Sequence, residues 1–161
     1  MRSGGRTLPL AAGALCAVVV AGLGGVMTDT GPWYLGLAKP AWQPPGWIFG
    51  PAWTIIFACC AWSFAEAWAA APRSTRATVL GLFGLNMALN IAWSALFFAF
   101  RRPDWALIEV VPLWLSIAAL IRVLAPFSRR AAALLFPYLV WVAIAALLNW
   151  EVVRLNGPFG L

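Results

Sequence analysis

The sequence predicts an all-α integral membrane protein, a single domain formed by a bundle of five transmembrane helices. Hydrophobic residue types make up 63% of the 161 residues and charged types only 10%, whereas a soluble domain carries roughly 25% charged residues. The mean hydropathy is +0.86. A helix of about 20 residues crosses a bilayer. Five apolar windows reach that length, approximately Leu8–Met27, Trp47–Ala71, Ala77–Phe100, Trp105–Val123 and Ala131–Val153.

The first window follows Arg2 and Arg6 and so shares features with a secretory signal sequence. We interpret it as the first transmembrane helix, because the apolar run has full spanning length and no small-x-small cleavage site with a soluble domain follows it.

The connection between the first two spans, residues 28–46, differs from the other breaks, which are short and marked by Pro and Arg. It is long and rich in proline and aromatic residues, namely Pro32, Trp33, Tyr34, Pro40, Trp42, Pro44 and Pro45. Proline restricts its conformational freedom, and the aromatic side chains need an apolar surface to cover. We expect this loop, called the lid loop below, to cover one end of the bundle. The alternative for Trp33 and Tyr34 individually is anchoring at the lipid headgroups.

The third span carries polar and aromatic residues along one face. Asn86, Asn90, Trp93 and Phe97 follow each other at i, i+4, i+7 and i+11, and polar side chains inside a membrane face the bundle interior. The alternative is that these amides, with Asn149, only tie helices together by hydrogen bonds.

The other spans direct similar residues inward. They are Trp53, Phe57 and Phe64 in the second span, Trp105, Glu109, Pro112 and Ser116 in the fourth, and Tyr138, Trp141, Ala145 and Asn149 in the fifth. Together with the lid loop, these faces predict a pocket for a flat apolar molecule. The alternative is plain helix packing by the aromatic residues.

Two carboxylates lie within the spans, where such a group costs about 3 kcal/mol. We expect Glu66 to reach the membrane interface and Glu109 to act as an interhelical tie or a pocket wall. A proton-coupled small-molecule transporter that uses Glu109 is a further alternative.

The composition also excludes several classes of function. The chain has no histidine, which removes imidazole bases, His-ligated zinc and the proximal histidine of haem proteins, and we expect no metal site. Cys16, Cys59 and Cys60 lie in apolar runs and are interpreted as core residues. The net charge of +6 is scattered between spans, which suits anionic lipid headgroups and not nucleic acid.

The distribution of Lys and Arg gives an orientation. The side of the N-terminus carries seven of these residues and the other side four, which predicts a cytoplasmic N-terminus in a bacterial cell membrane.

A seam of small residues, Gly84, Ala88 and Ala92, runs along the third span at i, i+4 and i+8. Small residues let helices approach closely in a membrane. The seam is therefore a candidate homodimer contact, or equally an internal one.

Several motifs resemble the TspO/MBR family, the tryptophan-rich sensory protein or translocator protein family, whose eukaryotic member is the mitochondrial peripheral-type benzodiazepine receptor. The resemblance covers essentially the whole chain. The motifs are Lys-Pro-Ala-Trp-Gln-Pro-Pro-Gly-Trp-Ile-Phe-Gly-Pro-Ala-Trp at 39–53, Ala-Leu-Asn-Ile-Ala-Trp at 88–93 with Phe97-Phe98, Trp105-Ala-Leu, Pro-Tyr-Leu-Val-Trp at 137–141 and Leu148-Asn149.

This resemblance implies a commonly dimeric five-helix bundle that binds porphyrins such as protoporphyrin IX and haem, isoquinoline carboxamide and benzodiazepine drugs and, in some members, cholesterol. Porphyrin or haem would be a ligand, and no cofactor is required. The ligand site would comprise Tyr34, Pro44, Trp47, Phe49, Trp53, Asn90, Trp93, Trp105, Trp141, Ala145 and Leu148. Asn86 joins these candidates, one methylene shorter than the glutamine that the family often has there. Trp150 stands where the sterol pattern before Arg154 requires Tyr, and this departure disfavours sterol binding.

The leading hypothesis is a membrane receptor or carrier for tetrapyrroles and related flat apolar ligands. Some bacterial relatives resemble light-dependent porphyrin-degrading enzymes, with tryptophans that match Trp53 and Trp141. A light- and oxygen-dependent porphyrin-degrading enzyme with these two catalytic tryptophans is therefore the first alternative, and the proton-coupled transporter is the second.

Overall fold

The computed structural model describes residues 11, 13–15, 18, 20, 22 and 25–159. The predicted first span, Leu8–Met27, therefore lies partly outside the described residues, and those that are described between 11 and 27 are helical. The elements that follow are α1 at Pro32–Gly36, α2 at Gly46–Ala70, α3 at Arg76–Ser94, α4 at Pro103–Leu124, α5 at Arg129–Leu134 and α6 at Phe136–Asn156. A 3₁₀ turn, Arg73–Thr75, precedes α3, and a π-helical turn, Ala95–Ala99, continues it.

Within the described part of the chain, four helical segments are long and apolar enough to cross a membrane. They are Gly46–Ala70, Arg73–Ala99, Pro103–Leu124 and Arg129–Asn156. With the helical N-terminal segment they form the predicted all-α membrane bundle, and the four ranges agree with the predicted spans to within a few residues. The described part of the chain contains no strand, as expected where lipid leaves backbone groups without water to bond to. The protein is therefore an integral multi-pass membrane protein.

Helix α4 forms the centre of the bundle. Leu113, Ile117, Leu120 and Leu124 recur at i, i+4, i+7 and i+11 and are at most 2% exposed. This stripe packs between α3 and α6, which make the most extensive helix contacts with α4. The buried residues around it are Val79 and Phe83 of α3, Ala131 and Ala132 of α5, and Leu135, Tyr138 and Val142 in and just before α6.

Buried polar side chains tie the helices together. Asn86 Nδ2 of α3 donates to Ser116 Oγ of α4 at 2.8 Å, and that hydroxyl donates to the Leu113 carbonyl at 2.7 Å. Ser63 Oγ of α2 donates to the Ala131 carbonyl of α5 at 2.8 Å. These bonds satisfy groups that lipid cannot solvate, so the interhelical role predicted as an alternative for the asparagines is real at Asn86.

Helix α2 makes two different kinds of contact along its length. Toward its C-terminal end it packs against α5. Against the N-terminal segment it approaches closely, since a Cβ added at Gly13 would lie 3.0 Å from the Ala61 carbonyl oxygen. Its N-terminal half borders open space inside the bundle, which is the cavity described below.

The two ends of the bundle differ in charge. The end covered by the lid loop, called the lid end, carries Lys39, Arg101, Arg102 and Arg154, and the opposite far end carries Arg73, Arg76, Arg122, Arg129 and Arg130. Glu66, which was predicted to reach the membrane interface, lies at the far end and is buried against protein. Trp62 Nε1 donates to its carboxylate at 3.1 Å, and Arg130 lies 4.0 Å away. These partners replace the solvent that a carboxylate otherwise needs.

We predict that Asn86 and Ser116 stabilise the bundle as a pair. Asn86→Ala and Ser116→Ala should each lower the free energy of unfolding by about 1 kcal/mol, with a coupling energy of about 0.6 kcal/mol. SDS-induced unfolding of the two single variants and the double variant measures this coupling. Leu115→Ala, on the exposed face of α4, is the control, and purely additive effects of the pair would contradict the prediction.

Candidate functional site

A cavity of about 1020 Å³ lies between the N-terminal segment, the lid loop, α2, α3 and α6. Ligand pockets typically measure roughly 300–1,000 Å³, so this cavity is at the upper end of the range. Its walls are predominantly apolar and aromatic, with a few neutral polar groups and one charged residue among the described lining residues. Such a space suits a large, flat and mainly apolar molecule.

Helix α2 presents one face to the cavity. Phe49, Trp53 and Phe57 follow each other at i, i+4 and i+8 and line it. The ring of Phe49 meets that of Trp141 edge-on at 5.6 Å, and Trp53 meets Tyr138 at 6.2 Å. Trp53 also stacks on Phe57 at 5.3 Å. Aromatic contacts therefore join α2 to α6 and leave ring faces and edges along the cavity wall.

Helix α3 supplies the opposite wall, where polar bonds fix the aromatic side chains. Asn90 Nδ2 donates to the Tyr138 hydroxyl at 3.0 Å. Trp93 Nε1 donates to Asn149 Oδ1 at 3.2 Å, and Asn149 Nδ2 donates to the Pro103 carbonyl at 2.8 Å. Asn90, Trp93 and Asn149 all line the cavity. These three residues therefore both connect helices by hydrogen bonds and line the cavity.

The lid loop covers the mouth through aromatic contacts with the end of α3. In the π-helical turn, Phe97 and Phe98 both reach the lid loop, with their ring centroids 4.7 Å apart. Trp33 meets Phe97 edge-on at 6.3 Å, and Tyr34 lies 5.6 Å from Phe98. π-helical turns are frequent at functional sites. This one places two adjacent aromatic residues against the same loop.

A pair of hydrogen bonds fastens the lid loop to the end of α6. The Ala38 N–H donates to Asn156 Oδ1 at 2.7 Å, and Asn156 Nδ2 donates to the Ala38 carbonyl at 2.8 Å. The same Nδ2 also donates to the Val152 carbonyl at 2.8 Å. One side-chain amide thus satisfies both backbone groups of a loop residue, as a neighbouring strand would.

Three polar side chains of the lid loop stand at the cavity rim. Tyr34, Lys39 and Gln43 all line the cavity, and Gln43 Nε2 donates to the Tyr34 hydroxyl at 3.4 Å. Burial raises the pKa of the Tyr34 phenol, which keeps the hydroxyl neutral. Burial also lowers the pKa of the Lys39 ammonium group. Both directions follow from the cost of removing a charged form from water.

The structure places most of the predicted ligand-binding residues at this cavity. Its lining includes Tyr34, Phe49, Trp53, Asn90, Trp93, Trp141, Ala145 and Leu148. Four predicted residues are not among its lining residues, namely Pro44, Trp47, Asn86 and Trp105. Each of these has a local structural reason.

Pro44 and Trp47 lie on the approach to α2. Pro44 is half-buried in the loop, where Gln43 lines the cavity instead. Trp47 is 76% exposed, because the cavity-facing stripe of α2 includes Phe49, and a residue two positions earlier points to roughly the opposite side of a helix. The sequence motif therefore holds Trp47 on the outer face of the bundle.

Asn86 and Trp105 lie away from the main cavity. Asn86 borders a smaller cavity of about 270 Å³, which shares Phe57, Ala61 and Asn90 with the main one. Trp105 is 51% exposed, with the Arg102 guanidinium 4.2 Å from its ring centroid. Among the described residues α4 contributes nothing to the main cavity, because it lies behind α3 and α6. The predicted inward direction of Trp105 is therefore wrong.

Glu109 has no part in the described cavity wall either. Both of its carboxylate oxygens are buried and have no hydrogen-bond partner among the described residues. The structure accordingly places Glu109 neither in the pocket wall nor in a described interhelical tie, the two roles that the sequence predicts for it.

Among the described residues, no group of three or more His, Cys, Asp or Glu side chains comes together that could hold a metal ion.

Sequence reasoning missed part of the lining. Lys39, Gln43, Ser94 and Phe98 line the cavity and were not among the predicted ligand-binding residues. Lys39 carries a signal that could have revealed it, since it is the only lysine of the chain and lies in the lid loop. Phe98 carries no such signal, because its direction depends on the π-helical turn.

Comparison with known proteins gives the family of this chain. The model of the TspO/MBR family matches residues 12–155. The chain belongs to the TspO/MBR family. It is 36% identical to the tryptophan-rich protein TspO of Chlorobaculum tepidum over 93% of this chain and 96% of that protein. It is 37% identical to the human translocator protein over 77% and 75% of the two chains. It is 33% identical to the tryptophan-rich sensory protein of Cereibacter sphaeroides over 82% of each.

In this TspO/MBR chain part of the small-residue seam of α3 lies at the surface. Gly84 and Ala88 are exposed and Ala92 is half-buried. A Cβ added at Gly84 would meet no described atom within 4 Å. Gly84 also borders the smaller cavity, together with Gly13 of the N-terminal segment.

We predict that the Asn156 amide holds the lid loop closed. Asn156→Leu should increase hydrogen exchange of the Ala38 amide by about tenfold, because about 1–2 kcal/mol of hydrogen bonding is lost. Hydrogen exchange followed by mass spectrometry measures this. Glu151→Gln, which removes the exposed ion pair with Arg154 on the same helix, is the matched control. Unchanged exchange at Ala38 in Asn156→Leu would contradict the prediction.

Proposed function

We propose that this protein binds tetrapyrroles such as protoporphyrin IX in the main cavity and acts as a membrane receptor or carrier for them. The observation that carries the proposal is the wall itself. Trp53, Trp93 and Trp141, from three helices, border one space of about 1020 Å³. Large aromatic surfaces favour stacked and edge-on contacts with a planar ring. The names of the relatives, translocator and sensory proteins, are consistent with carriage or sensing of a ligand.

The lining residues favour recognition of the porphyrin ring itself over coordination of a bound metal ion. The chain has no histidine, which is the commonest axial ligand in haem proteins. Binding would come mainly from apolar burial and aromatic contact, so free protoporphyrin should bind at least as tightly as haem. Other flat apolar molecules would compete for the same walls.

The alternative function, light-dependent porphyrin degradation, draws on the same wall. Trp53 and Trp141 both border the cavity and lie next to other aromatic rings, Phe57 and Phe49 respectively. A bound and illuminated porphyrin would have oxidisable indoles as neighbours. A proton-coupled transporter based on Glu109 has less support, because that carboxylate is not among the residues that line the cavity.

We also propose a membrane orientation and a homodimer. The described far end carries five Arg, and the lid end carries four Lys and Arg. In a bacterial cell membrane, the setting that we propose, this bias puts the lid end away from the cytoplasm. The seam of Gly84, Ala88 and Ala92, exposed at its first two residues, supports a homodimer formed through α3.

We expect bulk at Ala145 to block porphyrin binding. Ala145 lines the cavity, so Ala145→Phe should raise the Kd for protoporphyrin IX at least tenfold, a loss of about 1.4 kcal/mol. Quenching of tryptophan fluorescence in the dark measures the Kd. The matched control is Leu147→Phe, which adds an aromatic ring on the exposed face of α6. Equal affinity of both variants and the unmodified protein would exclude this cavity as the porphyrin site.

Illumination of the same samples separates binding from degradation. If the protein degrades porphyrin, the absorbance of the bound ring should decline in light and oxygen, and Trp53→Phe combined with Trp141→Phe should stop the decline while binding persists. A stable absorbance spectrum in the unmodified protein would favour the receptor or carrier function.

For the homodimer, Gly84→Leu should shift the purified protein toward the monomer, because a larger side chain separates closely packed helices. Light scattering of the protein eluting from a sizing column measures the mass. Val140→Leu, on the exposed face of α6, is the control. A monomeric unmodified protein, or a dimer that Gly84→Leu leaves intact, would contradict the proposed interface.

A further inference from the structure

Among the described residues at the cavity rim, Lys39 carries a full charge. Of the described residues that line the cavity, Lys39 is the only charged one. Every other described lining residue is apolar, aromatic or neutral and polar. The position of this ammonium group therefore sets the sign of the charge that a ligand meets on entering.

The Lys39 ammonium group is held in place by the lid loop itself. Its Nζ donates to the Tyr34 carbonyl at 2.5 Å and to the Leu37 carbonyl at 3.0 Å, and it lies 4.4 Å from the centroid of the Tyr34 ring. Tyr34 lies in α1 and Leu37 caps the C-terminal end of that helix, where the Tyr34 carbonyl also accepts from the Leu37 N–H at 3.3 Å. An ammonium group has three N–H donors. Two of them bond to the loop carbonyls, and no described residue accepts a hydrogen bond from the third.

The charge on Lys39 has no counter-ion among the described residues. No described carboxylate forms an ion pair with it. Asp29, the acidic residue of the lid loop, accepts a hydrogen bond from the Gly31 N–H at 2.8 Å. Carbonyl dipoles and a ring face stabilise a cation only in part, and a partly buried charge gains most from an opposite charge with which it can form hydrogen bonds.

The other cations of the lid end differ from Lys39 in this respect. The Arg101 guanidinium lies 5.7 Å from the centroid of the Trp33 ring. Arg102 pairs with Asp104, and Arg154 pairs with Glu151. None of these three arginines is among the lining residues of the cavity. Lys39 is thus the cation at this end that combines contact with the cavity and the lack of a described carboxylate partner.

We infer that Lys39 is a specificity-determining residue that binds a carboxylate on the edge of a flat apolar ligand. This inference rests on the proposed function, because it assigns an orientation to a ligand in the same cavity. The ring would contact the aromatic walls, and its acidic edge would remain at the mouth beside the lid loop. Gln43, which also lines the rim and donates to the Tyr34 hydroxyl, offers a neutral polar neighbour for the second carboxylate oxygen.

A comparison of protoporphyrin IX with its dimethyl ester tests the inference. The two molecules share the ring and differ in the negative charge of their propionate groups. Kd values come from tryptophan quenching in the dark, with the full-length protein in lipid nanodiscs. We expect the unmodified protein to prefer the acid by about tenfold, the effect of one charge-assisted hydrogen bond. Lys39→Gln should lose this preference through weaker acid binding alone, and Lys39→Arg should keep most of it.

Binding of the ester shows whether each variant keeps an intact cavity. Arg101→Gln is the matched control, because it removes a positive charge at the lid end from a residue that does not line the cavity. The inference fails if the unmodified protein binds acid and ester equally, or if Lys39→Gln retains the preference. It also fails if Lys39→Gln weakens both ligands equally, because Lys39 then only supports the loop. If neither porphyrin binds to the unmodified protein, the proposed function itself is wrong.

Discussion

The side-chain amide of Asn149 joins three helical segments beside the cavity, and the arrangement of the wall depends on it. It accepts a hydrogen bond from the Trp93 indole of α3 and donates one to the Pro103 carbonyl at the start of α4. Asn149 is 1% exposed, so neither group has a solvent alternative. In lipid, each such polar group must find its partner within the protein. This requirement fixes the direction of an aromatic ring that lines the cavity.

The same requirement links the wall to the lid loop. Trp93 lies 5.3 Å from Phe97, which meets Trp33 of the lid loop. On the other side, the Asn156 amide bonds to Ala38. The loop is therefore attached to α3 by aromatic contact and to α6 by hydrogen bonds. A ligand that displaces the loop must disturb both attachments, which gives the protein a physical means to couple ligand passage to the arrangement of its helices.

The sequence was sufficient for the fold and for most of the cavity wall, but not for its rim. Hydropathy and helical spacing place Asn90, Trp93 and Phe97 on one inward face. The same reasoning failed for Trp105, because the amphipathic pattern of α4 does not reveal that this helix lies behind its neighbours. It also missed Lys39 as a lining residue. The direction of a loop side chain depends on contacts that no helical or strand periodicity encodes, here the carbonyls of Tyr34 and Leu37.

The central claim is that a porphyrin lies inside the bundle beneath the lid loop. Photo-crosslinking with a protoporphyrin IX derivative that carries a diazirine on its ring edge tests this claim most directly, because mass spectrometry then locates the labelled residues. The account predicts labels on cavity-facing residues such as Phe49, Trp53 and Trp141. Labels confined to outward residues such as Trp47 and Leu147 would mean that porphyrin binds to the lipid-facing surface, and the account would be wrong.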